Sequence, residues 1–124
     1  MSEKPMIPSL AFAALLTTAA LAGEAPAPTP ELLDKGRLTF AQACAACHGE
    51  SGAGDGAAAA TLPVKPRSFV SERLRYGAKV EQIFETLGRG IPNTPMSGFG
   101  QLPDEERWAL AYWVLELKAG RSKR

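Results

Sequence analysis

A chain of 124 residues holds one domain at most. Its net charge of +1, from 14 basic and 13 acidic residues, gives no case for nucleic-acid binding. Two cysteines and one histidine are too few for a structural zinc site, which draws four ligands from Cys and His.

In chain order, Lys4 beside Glu3 opens an apolar run from Ile7 to Leu21. That run is shorter than the roughly 20 residues a membrane-spanning helix needs. Ala20-Leu21-Ala22 places small residues where a signal peptidase reads. Residues 1–22 are therefore expected to be a signal peptide, with an uncleaved N-terminal anchor as the competing reading. Residues 23–30, rich in Pro and Ala, read as an extended tether.

Thr29 can cap a helix whose first residue is Pro30, and Glu31 adds negative charge at its positive end. Leu33, Gly36, Phe40 and Ala43 recur at helical spacing and predict one apolar face. Glycine inside a helix costs about 1 kcal/mol against alanine. The expected use of Gly36 is to let a second helix approach closely.

That helix runs into Cys44-Ala45-Ala46-Cys47-His48. Two cysteines three apart, followed by a histidine, form the attachment signal for c-type haem. The spacing lets both thiols reach the two vinyl groups of one porphyrin, while His48 supplies the proximal iron ligand. A redox-active Cys-x-x-Cys is the rival, and it would want a βαβ setting that this Ala-rich sequence lacks.

Residues 49–56 hold four glycines, which predicts an irregular loop beside the haem; no Gly-Lys-Ser/Thr follows to make it a phosphate cradle. A metal-bound histidine usually donates its second ring N–H to a neighbouring group. The expected acceptor is a carbonyl within Ala59 to Pro63. Lys65, Arg67, Arg73, Arg75 and Lys79 then set five cations against one acid, Glu72, whose plainest reading is a solvated face. Val80, Ile83, Phe84 and Leu87 predict a short amphipathic helix ended by Gly88 and Gly90.

Gly90 to Gly100 reads as a loop, with Met96 inside it. Met1 and Met6 fall in the leader, and His48 is the sole histidine. Met96 is thus the best available sixth ligand, with a lysine or an open position as alternatives. Pro103 and three acids open a last helix that is apolar almost throughout from Trp108 to Leu117 and ends at Lys118 and Gly120. Residues 31–120 form the expected domain and residues 121–124 a basic tail.

The Gly36-x-x-x-Phe40-x-x-x-Cys44 helix, Cys44-x-x-Cys47-His48-Gly49, Gly54-Asp55-Gly56, Pro66-Arg67-x-Phe69, Thr94-Pro95-Met96 with Phe99, and Ala111-Tyr112 together resemble a monohaem class I cytochrome c. The likeness is to the small bacterial type known as a cbb3-type haem domain. It implies an all-α fold in which N- and C-terminal helices cross, with Gly36 and Phe40 against C-terminal aromatics. It also implies one covalent haem c on Cys44 and Cys47, with His48 and Met96 as axial ligands. The expected function is that of an exported, periplasmic, monomeric one-electron carrier without enzymatic activity. It would meet redox partner proteins transiently, a membrane-bound oxidase or dehydrogenase among them. The alternatives are a fixed electron-entry subunit of such a complex, and a haem sensor or enzyme with a displaceable Met96.

Overall fold

The computed structural model describes residues 1–5 and 23–122. Most of the leader expected over residues 1–22 lies outside the described residues, as do Lys123 and Arg124 of the basic tail. Four α-helices carry the fold: α1 (Pro30–Ala43), α2 (Ala45–His48), α3 (Val80–Arg89) and α4 (Asp104–Lys118). A short 3-10 turn, Ala59–Thr61, sits between α2 and α3. The architecture is all-α: no strand occurs among the described residues. Nor is any helix among them long and apolar enough to cross a membrane.

α1 starts where its capping residues require. The Thr29 hydroxyl accepts the Leu32 N–H at 3.2 Å, and Pro30 takes the first helical position, where its missing N–H costs nothing. The buried face is Leu32, Gly36 and Phe40, a single i, i+4, i+8 ridge. The expected face was shifted by one residue at its start, for Leu33 is only half-buried, and Ala43 is exposed. Adjacent leucines give the sequence pattern two equivalent starting points, and the packing against α4 selects Leu32.

α4 is the centre of the molecule. Trp108, Ala109, Leu110, Ala111, Val114 and Leu117 are buried, and the helix packs against both α1 and α3. Gly36 is where α1 and α4 come closest. A β-carbon there would run into the Ala109 carbonyl and come within 3.0 Å of the Trp113 β-carbon. The partner of Gly36 is thus the backbone of α4 and the root of Trp113, rather than the faces of Trp108 and Tyr112.

On the other side, Phe84 of α3 stacks on Trp108 with ring centroids 3.8 Å apart, and the Arg107 guanidinium lies 4.2 Å from the Phe84 centroid. α3 does not stop at Gly88. It continues to Arg89 and is closed by Gly90, whose φ of +73° favours glycine. Gly88 lies inside the helix, where a β-carbon would meet only the mobile end of the Arg107 side chain.

The segment ahead of α1 is pinned. The Tyr112 hydroxyl donates to the Pro26 carbonyl at 2.6 Å, while the Lys35 ammonium meets Glu105 at 2.9 Å beside it.

Candidate haem site

α1 delivers Cys44 to the edge of the core. The residue leaves helical geometry at φ −124°, ψ −36°, yet its N–H still bonds to the Phe40 carbonyl at 2.9 Å. One turn of α2 follows and carries Cys47 and His48. Both thiols are free, Cys44 buried and Cys47 half-buried, and both line one cleft with His48. Burial, reinforced by the neighbouring Cys47, pushes the Cys44 thiol up to about 11. A dithiol oxidoreductase needs the opposite, a thiol held low enough to ionise near neutral pH. The redox-dithiol reading therefore has no electrostatic support.

His48 is held by a backbone group. Its Nδ1 lies 3.1 Å from the Arg67 carbonyl, and a carbonyl can only accept, so Nδ1 bears the hydrogen. Nε2 then carries the lone pair that a metal would use. The ring stacks on Phe69 at 4.5 Å and 20°. Burial pulls the His48 pKa below its ordinary value, and the bond to Arg67 opposes this without reversing it. The imidazole is neutral near pH 7, as metal binding demands.

The acceptor is not the expected carbonyl of Ala59 to Pro63. The carbonyls of Ala59 and Ala60 instead receive the Lys65 ammonium at 3.0 and 3.3 Å, and the Ala59 carbonyl closes the 3-10 turn. The chain then returns as Pro66–Phe69, which places Arg67 beside the ring. Glu72 braces this return. Its carboxylate accepts the Ser68 N–H at 2.7 Å and meets the Arg67 guanidinium at 3.5 Å, while the Ser68 hydroxyl accepts the Ser71 N–H at 3.2 Å. A serine answered by an acid four residues on was the available signal for this brace, close in logic to a capping box.

The glycine-rich loop lies behind the site, contrary to expectation. The N–H groups of Gly54, Gly56 and Ala58 bond to the carbonyls of His48, Cys47 and Ala46 at 2.7, 3.0 and 2.9 Å. A β-carbon at Gly56 would overlap the Ala46 carbonyl. The loop buttresses the Cys44–His48 turn from outside, and none of its residues from Gly49 to Thr61 lines the cleft.

Met96 is half-buried, packs against the core and lines the same cleft. Phe40, Leu74, Ile83, Leu87, Leu110 and Val114 supply apolar wall. Among the described residues, Lys65, Arg67 and Arg75 are its only charged lining residues, and no acid lines it.

Residues 33–118 match the family model of cytochrome c. The chain is a member of the cytochrome c family. Its structure is similar to a chain of the reducing HAO-like protein complex of Kuenenia stuttgartiensis, with a TM-score of 0.72 and 30% sequence identity. The match covers 77% of this cytochrome but 47% of that chain, so it spans about half the neighbour's length. No curated protein sequence matches this cytochrome significantly.

The residues present fit the family's prosthetic group. The two thiols, a neutral imidazole of fixed tautomer and a thioether share the wall of one apolar cleft. This cytochrome carries one covalent c-type haem, attached through Cys44 and Cys47.

Proposed function

We propose that the protein is an exported one-electron carrier whose haem iron takes His48 and Met96 as its two axial ligands. The observation that carries this reading is that the only histidine of the chain and the only methionine after the leader line the cleft that holds both cysteines. When bound, the haem supplies a one-electron Fe(III)/Fe(II) couple. The chain's own residues hold it, orient it and keep water away. Cys44 and Cys47 anchor the ring covalently, the Arg67 carbonyl fixes the plane and tautomer of His48, and Met96 offers a soft donor that favours the reduced state. With His48 and Met96 both held by the chain as the residues that would ligate the iron, little would need to rearrange between oxidation states, which suits a carrier rather than a catalyst.

Export to the periplasm rests on the leader-like Lys4 to Ala22 sequence, since haem of this type is attached after export. The partners are redox proteins met transiently by a monomer, a membrane-bound oxidase or dehydrogenase included. A second reading, a fixed electron-entry subunit, draws support from the neighbour's being part of a protein complex. Co-purification under gentle extraction separates the two.

Periplasmic expression with haem maturation, followed by absorption spectra, tests the ligand assignment. The ferric protein should show the weak band at the red edge that marks sulfur–iron ligation. Met96→Ala should abolish that band, lower the potential and let carbon monoxide bind the ferrous iron. An unchanged spectrum and potential would show that another group is the sixth ligand.

A further inference from the structure

One side chain makes two of the three hydrogen bonds that close the turn leading to Met96. From Gly90 to Leu102 the sequence contains no charged residue, so no ion pair can fix its shape. The Thr94 hydroxyl takes that part. It donates to the Ile91 carbonyl at 2.7 Å and accepts the Met96 N–H at 3.2 Å. The Ile91 N–H bonds to the Met96 carbonyl at 3.0 Å. Three hydrogen bonds thus join Ile91, Thr94 and Met96 into a ring of six residues, two of them made by one oxygen atom.

The turn inside that ring is tight. Asn93 adopts φ +61°, the one non-glycine residue with positive φ among the described residues, and asparagine tolerates that region better than most. Gly90, at φ +73°, lets the loop return against α3, for a β-carbon there would come within 2.7 Å of the Met96 carbonyl. The Phe99 N–H then ties the outgoing end of the loop to the Leu87 carbonyl at 2.7 Å. Met96 is therefore placed between two fixed points, and the one side chain that bonds to its backbone is the Thr94 hydroxyl.

We infer that Thr94 is a positioning residue for the sixth ligand: its hydroxyl holds the Met96 backbone so that the thioether stays on the iron against competing ligands. This inference rests on Met96 being that ligand. Threonine is the right side chain here because its Oγ1 donates and accepts at once over a short reach. A valine of the same shape would do neither. Each such bond is worth about 1 kcal/mol net, and the bond count converts to roughly fivefold in an equilibrium per bond. The thioether gains that much only if the bound geometry is the one the hydroxyl maintains.

The test is displacement of the sixth ligand from the ferric holoprotein by imidazole, followed by loss of the sulfur–iron band. Thr94→Val should raise the apparent imidazole affinity by roughly fivefold or more, and Thr94→Ser should restore the wild-type value. Equal affinity in wild type and Thr94→Val would overturn the inference. So would an equal increase in Thr94→Val and Thr94→Ser, since the effect would then follow shape and not the hydroxyl. If Thr94→Val does not accumulate with haem, hydrogen exchange at the Met96 amide of the wild-type holoprotein decides. Protection there supports the bond, and exchange at the rate of an open loop overturns it. A Met96→Ala variant run in parallel separates the two levels. Its keeping the band refutes the ligand assignment itself, whereas loss of the band there with no Thr94→Val effect refutes only the role of Thr94.

Discussion

Glu72 shows how much of the site depends on residues that never touch the haem cleft's floor. Its carboxylate holds the Ser68 N–H and faces the Arg67 guanidinium, so it fixes the short segment whose carbonyl orients His48. Glu72→Ala should cost about 1–2 kcal/mol of stability, the usual worth of a hydrogen bond to a charged acceptor on a partly exposed side chain. Denaturant titration of the holoprotein, followed in the haem absorption, measures this. Glu72→Gln keeps an acceptor and should lose less. An alanine variant as stable as wild type would mean that the Pro66–Phe69 segment holds its place through Phe69 packing alone. The chemistry-bearing side chains were legible in the sequence because the Cys44–His48 spacing and the solitary Met96 are properties of side chains. The Arg67 carbonyl was not, for every residue has a carbonyl and only the path of the backbone decides which one reaches the ring. Thr94 could be seen only as part of a family-like Thr-Pro-Met run, and its two bonds depend on how tightly the loop closes.

Among the elements, the crossing of α1 and α4 bears the closest tolerance. Gly36 faces the Ala109 carbonyl, a backbone atom that cannot rotate away, with the Trp113 β-carbon behind it. Gly36→Ala should destabilise the holoprotein by about 1–3 kcal/mol from overpacking. That would be a net loss even though alanine is the better helix former by about 1 kcal/mol. Thermal or chemical unfolding checks the sign, and a more stable alanine variant would show that the two helices separate at no cost. Helix existence was readable from periodicity and caps: Thr29 and Pro30 mark the start of α1, and the acids after Pro103 mark that of α4. Two features misled. Leu32 and Leu33 leave the register of the α1 face open by one position. Gly88 looks like a terminator, yet the helix runs through it to Arg89 and is closed by Gly90, whose positive φ depends on how the following loop turns back.

At the scale of the whole molecule, charge is distributed unevenly. Residues 65–79 set five cations against one acid in a chain of net charge +1, so the remainder is net negative. Of the cations on the cleft, Lys65 is committed to the Ala59 and Ala60 carbonyls and Arg67 to Glu72. Arg75 forms no ion pair among the described residues, and neither does Arg73. Arg67 thus already has a carboxylate partner of its own. Oxidation of the reduced protein by hexacyanoferrate(III), an anionic probe, should slow severalfold as salt rises through 0.1 M, where the Debye length is about 10 Å. Charge reversal at Arg73 and Arg75 should slow it at low salt while the absorption spectrum is kept. A rate indifferent to both changes would leave the basic stretch as a solvated face.

The bond between Tyr112 and Pro26 bears on orientation. Tyr112 stands two positions from both Leu110 and Val114 on α4, about 160° around the helix from each. Leu110 and Val114 line the haem cleft, so the incoming chain is fastened to the back of the molecule. Fastening at Pro26 also takes residues 26–29 out of the free length of the linker. Anything joined upstream of Pro26 therefore leaves the domain on the side away from the cleft, and the cleft mouth stays clear of that attachment.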